Sequence, residues 1–234
     1  CGYFRKIRNK TTMIRYEISK KYLKGRGLEI GAFHAPTPLA DGCEADYLDQ
    51  MSIDDIKKRF PKYEDYYCVY PNIIENGELL ISIEDNKYDF LIANHMIEHT
   101  ENVFKTIQNH LRVLKKGGIL YYAVPDKRFT FDKNRELTTY EHLKAEYLYG
   151  SENYRYEHFL DFVTNVQNVK EEKEASKVAK KLSEEGLDTH FHVWTSETFI
   201  DHIKKAIDDK ILNIEILEHT HKNDIESITI LKKL

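Results

Sequence analysis

Cysteine, glycine and long apolar runs are scarce in this chain, and each scarcity removes a class of protein. Cys1, Cys43 and Cys68 are the only cysteines and follow no pattern. They read as reduced thiols of a cytoplasmic protein, neither a disulfide framework nor a thiolate zinc motif. No apolar run approaches the roughly 20 residues that span a bilayer. No signal peptide is visible, although the chain opens on Cys1 rather than Met and reads as trimmed. Basic charge is not in excess: Lys+Arg 35 stand against Asp+Glu 39, a net charge of −4. No basic nucleic-acid-binding domain is therefore expected. The glycines are too few and too dispersed to spell G-x-G-x-x-G, which argues against a nicotinamide dehydrogenase. Internal repeats and low-complexity linkers are absent as well.

What remains is a chain of 234 residues, 41% hydrophobic and 32% charged. That suits one large α/β domain with a core and a solvated surface. The abundance of Lys, Ile, Asn and Tyr hints at an AT-rich bacterial genome. An N-terminal helical segment over 1–25 is expected, with an amphipathic helix from Thr11 to Leu23. Arg26–Ile30 reads as the first strand and Ala45–Asp49 as the second. Ser52 opens a helix as N-cap, with Asp55 three residues later. Tyr66–Ile74 suggests a third strand, which Pro71 weakens. Tyr88–Asn94 is nearly all apolar, as a strand covered on both faces should be. Asn102–Lys116 has helical spacing, with Gly117 suited to C′, and Ile119–Val124 is the next buried strand. Residues 127–190 interrupt the alternation and read as a helical insertion, with a polar helix around Val169–Leu182. Ser196–Ile207 is a helix. Leu212–Leu217 and Ser227–Leu231 are strands joined by a polar hairpin, His219–Asp224. The expected fold is α/β: a Rossmann-like, doubly wound, mostly parallel seven-stranded sheet with a terminal antiparallel pair, forming a single domain over 1–234.

The chemistry-bearing residues sit at strand ends. Gly27-Leu28-Glu29-Ile30-Gly31-Ala32-Phe33-His34 is a strand, an acid and a tight glycine turn. Gly31 allows a ligand close to the backbone. Glu29 would repel a phosphate, so a cation or a hydroxyl is expected there rather than a pyrophosphate. Asp49 ends the second strand, 18 residues after Gly31. An acid at about this distance grips a ribose diol, because its two oxygens accept from two adjacent hydroxyls. Asn94-His95 and Pro125-Asp126 end later strands. Ligands in open α/β sheets bind at such ends.

This order resembles the class I S-adenosylmethionine-dependent methyltransferases. Leu28-Glu29-Ile30-Gly31 looks like their first motif and Asp49 like their ribose-binding acid. Tyr88–Asn94 with His95-Met96-Ile97-Glu98-His99 looks like their fourth-strand motif. Leu111-Arg112-Val113-Leu114-Lys115-Lys116-Gly117-Gly118 looks like their L-R-x-L-K-P-G-G segment, with Lys116 where Pro is common. Phe33 stands where the first motif has another glycine, and Pro36 and Pro38 disfavour the usual long helix after the turn. The resemblance implies S-adenosyl-L-methionine as cofactor. It implies cofactor contacts from Glu29, Gly31, Ala32, Phe33, Asp49, Ile83, Glu84, Asn94 and His95. A narrower likeness lies in Ala123-Val124-Pro125-Asp126-Lys127-Arg128-Phe129-Thr130-Phe131-Asp132, Leu137–Leu143 and His192-Val193-Trp194-Thr195. It resembles a bacterial methyltransferase group associated with capsule and surface-polysaccharide biosynthesis, and so implies a carbohydrate acceptor.

His95 is the catalytic candidate: past strand four it would face the methyl group, and a neutral imidazole can take a hydroxyl proton. Asp126, Lys127, Arg128 and His158 are expected on the acceptor side, where Lys127 and Arg128 suit an anion; a salt bridge is the equal alternative for the two cations. His95-x-x-Glu98-His99 matches a zinc-peptidase pattern. Helical spacing is expected to fail there, because His95 ends a strand. His190-x-His192 would share a strand face without a third ligand, and no metal is expected. A module that binds the cofactor without transferring methyl remains the rival reading, favoured by the changed glycine motif.

Overall fold

The computed structural model describes residues 2–222 and 225–234, with side chains from residue 10 onward. Cys1 and the tip of the expected hairpin, Asn223 and Asp224, lie outside the described residues. The apolar stretch Tyr88–Asn94 forms β4, central and almost wholly buried. Its central run, residues 90–93, has no polar side chain, which allows cover on both faces. β1 (Arg26–Ile30) pairs on one side of it and β5 (Leu114–Pro125) on the other. β2 (Glu44–Asp49) and β3 (Ile73–Ile74) continue outward from β1. β7 (Glu226–Lys233) and β6 (Ile214–Thr220) continue from β5. The order is β3-β2-β1-β4-β5-β7-β6. Among the described residues β7 runs opposite to the other six strands of the sheet, pairing antiparallel with β5 and β6. This is the expected Rossmann-like sheet, and the chain reverses its direction of winding between β1 and β4, which sets the switch point.

Period-two alternation distributes the strands over two cores. Leu28, Ile30, Leu91, Ala93, Leu120 and Tyr122 face one side. There they meet α3 (Val103–Val113), α4 (Tyr140–Tyr149) and α7 (Ser196–Asp208) through residues such as Phe104, Leu143 and Phe199. Phe90, Ile92, Tyr121, Ala123, Ile228 and Ile230 face the other, under Ile14 and Ile18 of α1 (Gly2–Tyr22). The helix expected from Thr11 is thus longer at its N-terminus. Ser52 caps α2 (Ile53–Arg59) as expected, accepting from Asp55 N. Between β5 and α7 lie α4, α5 (Arg155–Asn165) and α6 (Glu172–Glu184). Phe159, Val163, Ala175, Ala179 and Phe191 make a small core of their own under α5 and α6.

Several boundaries differ from the sequence reading; among them β6, expected over Leu212–Leu217, runs Ile214–Thr220 and takes in the start of the expected hairpin. α3 stops at Val113, because Leu114 returns to extended backbone and pairs with Tyr88. Gly117, with φ +79°, then serves a bulge in β5 rather than a helix cap. The third strand shrinks to Ile73–Ile74. Pro71 offers no N–H, and Val69 N donates instead to Phe33 O at 2.8 Å, holding the turn after β1. The polar helix begins at Glu172, because the Glu171 carboxylate caps it through Lys173 N and Glu174 N.

No helix forms between β1 and β2; the segment after the glycine turn is fastened by Glu29 instead. Glu29 lies on the α1 side of β1 and is fully buried. Its Oε1 accepts from Thr37 N at 2.8 Å, Thr37 Oγ1 at 2.9 Å and Asn94 Nδ2 at 3.3 Å. Burial outweighs these bonds and pushes the carboxyl from 4.5 up to about 7. Between those values the folded chain holds a proton that the unfolded chain has released, so this group's contribution to stability falls as pH rises. Glu29→Gln keeps an acceptor and cannot ionise. The variant should match the wild type in thermal stability near pH 4.5 and exceed it at pH 8, by on the order of 1–3 kcal/mol. Equal differences at both pH values would refute a buried, upward-shifted Glu29.

Candidate active site

The carboxyl ends of β1, β2 and β4 meet over the switch point in an open cleft of ≈ 370 Å³. Gly31, directly after β1, has φ +68°, a left-handed conformation that glycine adopts without strain. A Cβ on Gly31 would meet no atom within 4 Å, so the space above it belongs to the cleft. Ala32 is buried behind the turn. Phe33 also has positive φ, +43°, which strains a bulky side chain. Its carbonyl is held by Val69, and its ring meets Tyr63 edge to face at 4.9 Å between centroids. Both rings line the cleft. The residue that replaces the expected glycine therefore supplies an aromatic wall.

Asp49 ends β2 and also lines the cleft. Its Oδ1 accepts from Gln50 N at 2.7 Å, and burial nudges its carboxyl upward. Gln50 and Met51 follow it into the same wall. Ile83 and Glu84 do not reach this space. Ile83 is apolar and sinks into the main core, with its carbonyl accepting from Arg112 Nη1 at 2.8 Å; Glu84 is exposed. The wall on that side contains Gly77, where a Cβ would come within 2.7 Å of Ile30 Cγ2. The cofactor contacts that the resemblance implies for Ile83 and Glu84 are thus not among the residues lining this cleft.

β4 delivers Asn94 and His95. Asn94 Nδ2 donates to Thr37 Oγ1 at 2.7 Å as well as to Glu29. Glu29 itself stays beneath the floor, and its Oε2 has no hydrogen-bond partner among the described residues. His95 adopts φ +50°, which turns its half-exposed ring into the cleft. Nε2 lies 2.7 Å from Glu226 Oε2, at the start of β7. Arg15 of α1 grips the same carboxylate from behind, Nε to Oε1 at 3.0 Å and Nη2 to Oε2 at 2.6 Å. Burial alone would raise the Glu226 pKa, but His95 and Arg15 outweigh it and bring it down to about 2. An ionised carboxylate only accepts, so Nε2–H donates and Nδ1 is left as the acceptor. The Oε1 of buried Glu98 is 3.7 Å from Nδ1, beyond hydrogen-bond range.

His99 turns elsewhere. Met96 leaves helical geometry, and Ile97–His99 is a single 3-10 turn. His99 Nδ1 is paired with Asp188 Oδ1 at 2.9 Å, so the two histidines of the H-x-x-E-H pattern face different carboxylates. His99 and Asp188 both line the cleft. Glu226, Arg15, Tyr63 and Asp188 were not anticipated from sequence. Gln50 and Met51 were open to inference, since they directly follow the strand-ending acid.

The acceptor-side candidates are engaged by other groups of the protein: Asp126 and His158 are buried, and Arg128 is exposed but paired. Asp126 is fully buried and accepts from Ser196 N at 2.9 Å. Arg128 binds Asp126 through Nε and Nη2 at 2.9 and 2.6 Å, and Glu197 at 3.0 Å. This is the salt-bridge alternative. Lys127 Nζ donates to Arg135 O. His158 is buried against Glu146, with Nε2 2.7 Å from Oε1. None of these four is among the residues that line the cleft.

A methyltransferase domain family matches residues 24–206. An uncharacterized protein of Methanocaldococcus jannaschii is 33% identical over 116 residues, 47% of this chain. The match spans 50% of that relative's own length. The N-methyltransferase NodS from Bradyrhizobium japonicum, solved with S-adenosyl-L-homocysteine, covers 97% of this chain and 87% of its own, at 13% identity and TM-score 0.50. A SAM-dependent methyltransferase of Methanosarcina mazei covers 94% of this chain and 98% of its own, at 19% identity and TM-score 0.46. The family match takes in β1, β2, β4 and β5, the strands that carry Gly31, Asp49 and His95 to the cleft, and the chain belongs to the methyltransferase domain family.

Proposed function

We propose that this chain is a bacterial, cytoplasmic O-methyltransferase that uses S-adenosyl-L-methionine. Its acceptor is a sugar, sugar nucleotide or phosphorylated substituent of a surface polysaccharide. One observation carries the reaction: the strand ends place Asp49, Gly31 and a carboxylate-oriented His95 around a single cleft. Asp49 would hold the ribose diol, two hydroxyls donating to one carboxylate. The backbone at Gly31 would run beside the methionine portion. Phe33 and Tyr63 line the cleft with aromatic rings, whose faces attract a sulfonium. The carbohydrate acceptor rests on the likeness of 123–132, 137–143 and 192–195 to the polysaccharide-associated group.

In the reaction the acceptor oxygen forms a bond to the methyl carbon as the carbon–sulfur bond breaks. The sulfur leaves as a neutral thioether, so the protein mainly aligns three atoms and excludes water. The acceptor hydroxyl's proton passes to His95 Nδ1. Glu226 fixes the ring through Nε2, as the carboxylate does in other histidine–carboxylate pairs, and faces the positive charge that the ring acquires. Arg15 in turn keeps Glu226 ionised.

The test is to incubate the protein with S-adenosylmethionine and a panel of neutral and anionic sugars and sugar nucleotides. S-adenosylhomocysteine and the methylated product are both measured by mass spectrometry. A carbohydrate should be methylated on oxygen. His95→Ala should then lower kcat by about 10²–10⁴-fold while KM for the cofactor changes little. Undiminished turnover in His95→Ala would remove the base role. Methylation of protein or of a nitrogen metabolite, with every carbohydrate inert, would overturn the acceptor class.

A further inference from the structure

A second cluster of side chains lies away from the cleft, among α4, α5 and the extended segment 190–194. His142 and Glu146 share one face of α4 at i,i+4 spacing. His158 comes from α5 and His192 from the segment before α7. One donor atom of each lies within 4.8 Å of all the others. His142 Nε2 is 3.3 Å from His158 Nε2 and 3.0 Å from Glu146 Oε1. His158 Nε2 is 2.7 Å from Glu146 Oε1, and His192 Nε2 is 3.4 Å from Glu146 Oε2. Metal–nitrogen and metal–oxygen bonds of about 2.0–2.1 Å give a tetrahedron with edges of about 3.3–3.4 Å. Two of the four separations, 3.3 and 3.4 Å, are already near that edge, and the two to Glu146 Oε1, 3.0 and 2.7 Å, would open slightly around an ion.

The burial of this cluster argues for a cation. His192 is almost wholly enclosed, and neither of its ring nitrogens has a hydrogen-bond partner among the described residues. Glu146 Oε2 is in the same position. Buried polar atoms are normally paired, and an unpaired one costs about 1–3 kcal/mol. The hydrogen-bond network leaves these atoms unmet; a bound cation would meet His192 Nε2 and Glu146 Oε2 together. His142 and His158 border a second cavity of ≈ 230 Å³, which gives an ion a way in.

We infer that His142, Glu146, His158 and His192 form a site for one zinc ion. Three imidazoles and a carboxylate suit zinc, and four protein donors make a closed, structural site rather than a catalytic one. The ion fastens α4, α5 and segment 190–194 together. That segment is bound to Glu98 O through Phe191 N and His192 N, and Asp188 just before it lines the cleft. The zinc therefore braces one cleft wall from behind without touching the reacting atoms.

The test uses tag-free protein. Elemental analysis should find about one zinc per chain, either as purified or after zinc is added to chelator-stripped protein. Restoring zinc to stripped protein should raise the melting midpoint by about 5 °C or more. Cobalt(II) in its place should give the intense visible bands of a tetrahedral ion. His192→Ala should lose metal and bands. Half-buried His142→Gln is the variant expected to fold, and it should bind zinc at least about tenfold more weakly. His99→Ala, which belongs to a separate Glu98, His99 and His190 group, should keep the metal. Wild-type protein that takes up no zinc, a folded His142→Gln with unchanged affinity, or metal lost with His99→Ala would each overturn the assignment.

Discussion

The carboxylate of Glu226 is the contact on which the candidate site depends. It lies at the start of β7, the strand that runs opposite to its two neighbours, yet it bonds to Arg15 of the N-terminal helix and to His95 after β4. Three distant parts of the sequence converge on one ionised, buried group. Removing such a charge from water is expensive unless it is paired and hydrogen-bonded, and here two cationic or donating partners meet it. The same bonds that make its burial tolerable also fix the His95 ring. The orientation of the candidate base is thus a consequence of how the final strand inserts beside β5.

Glu29 shows the opposite balance. Its bonds to Thr37 and Asn94 are neutral, and burial prevails, so the group tends to hold its proton. It fastens the loop that takes the place of a helix after β1. Both carboxylates lie on the sheet face that α1 covers, and Arg15 stands between that helix and the floor of the cleft. A strand-end acid beneath the cleft and a strand-start acid at its edge therefore do different work, and their surroundings decide which is charged.

The sheet was largely legible because buried parallel strands leave a plain record: apolar runs with glycine, proline or polar breaks between them. β1 and β4 are where the pattern puts them, and the antiparallel pair forms with β6 shifted to Ile214–Thr220. The failures have local causes. Leu114 follows a helical pattern, but pairing with Tyr88 draws it into β5. Pro71 and the bond from Val69 to Phe33 reduce a nine-residue apolar stretch to two paired residues. At the site, Gly31, Asp49 and His95 could be marked because strand ends announce themselves. Glu226, Arg15 and Asp188 could not, since their value arises from contacts across 89 or more positions of chain. Arg128 was ambiguous for a related reason: a surface cation beside a loop looks the same whether it awaits an anion or already holds Asp126 and Glu197.

The central claim is that the cleft over Gly31 and Asp49 takes S-adenosylmethionine. Binding to the native state alone raises apparent stability by mass action, whatever the acceptor. Thermal unfolding with S-adenosylmethionine, S-adenosylhomocysteine and NAD in excess therefore tests it most directly, with Asp49→Ala as the control. The account predicts a rise of several degrees with the two adenosyl sulfur compounds, none with NAD, and loss of most of the rise in the variant. A rise with NAD alone, or an equal rise in wild type and Asp49→Ala, would contradict it.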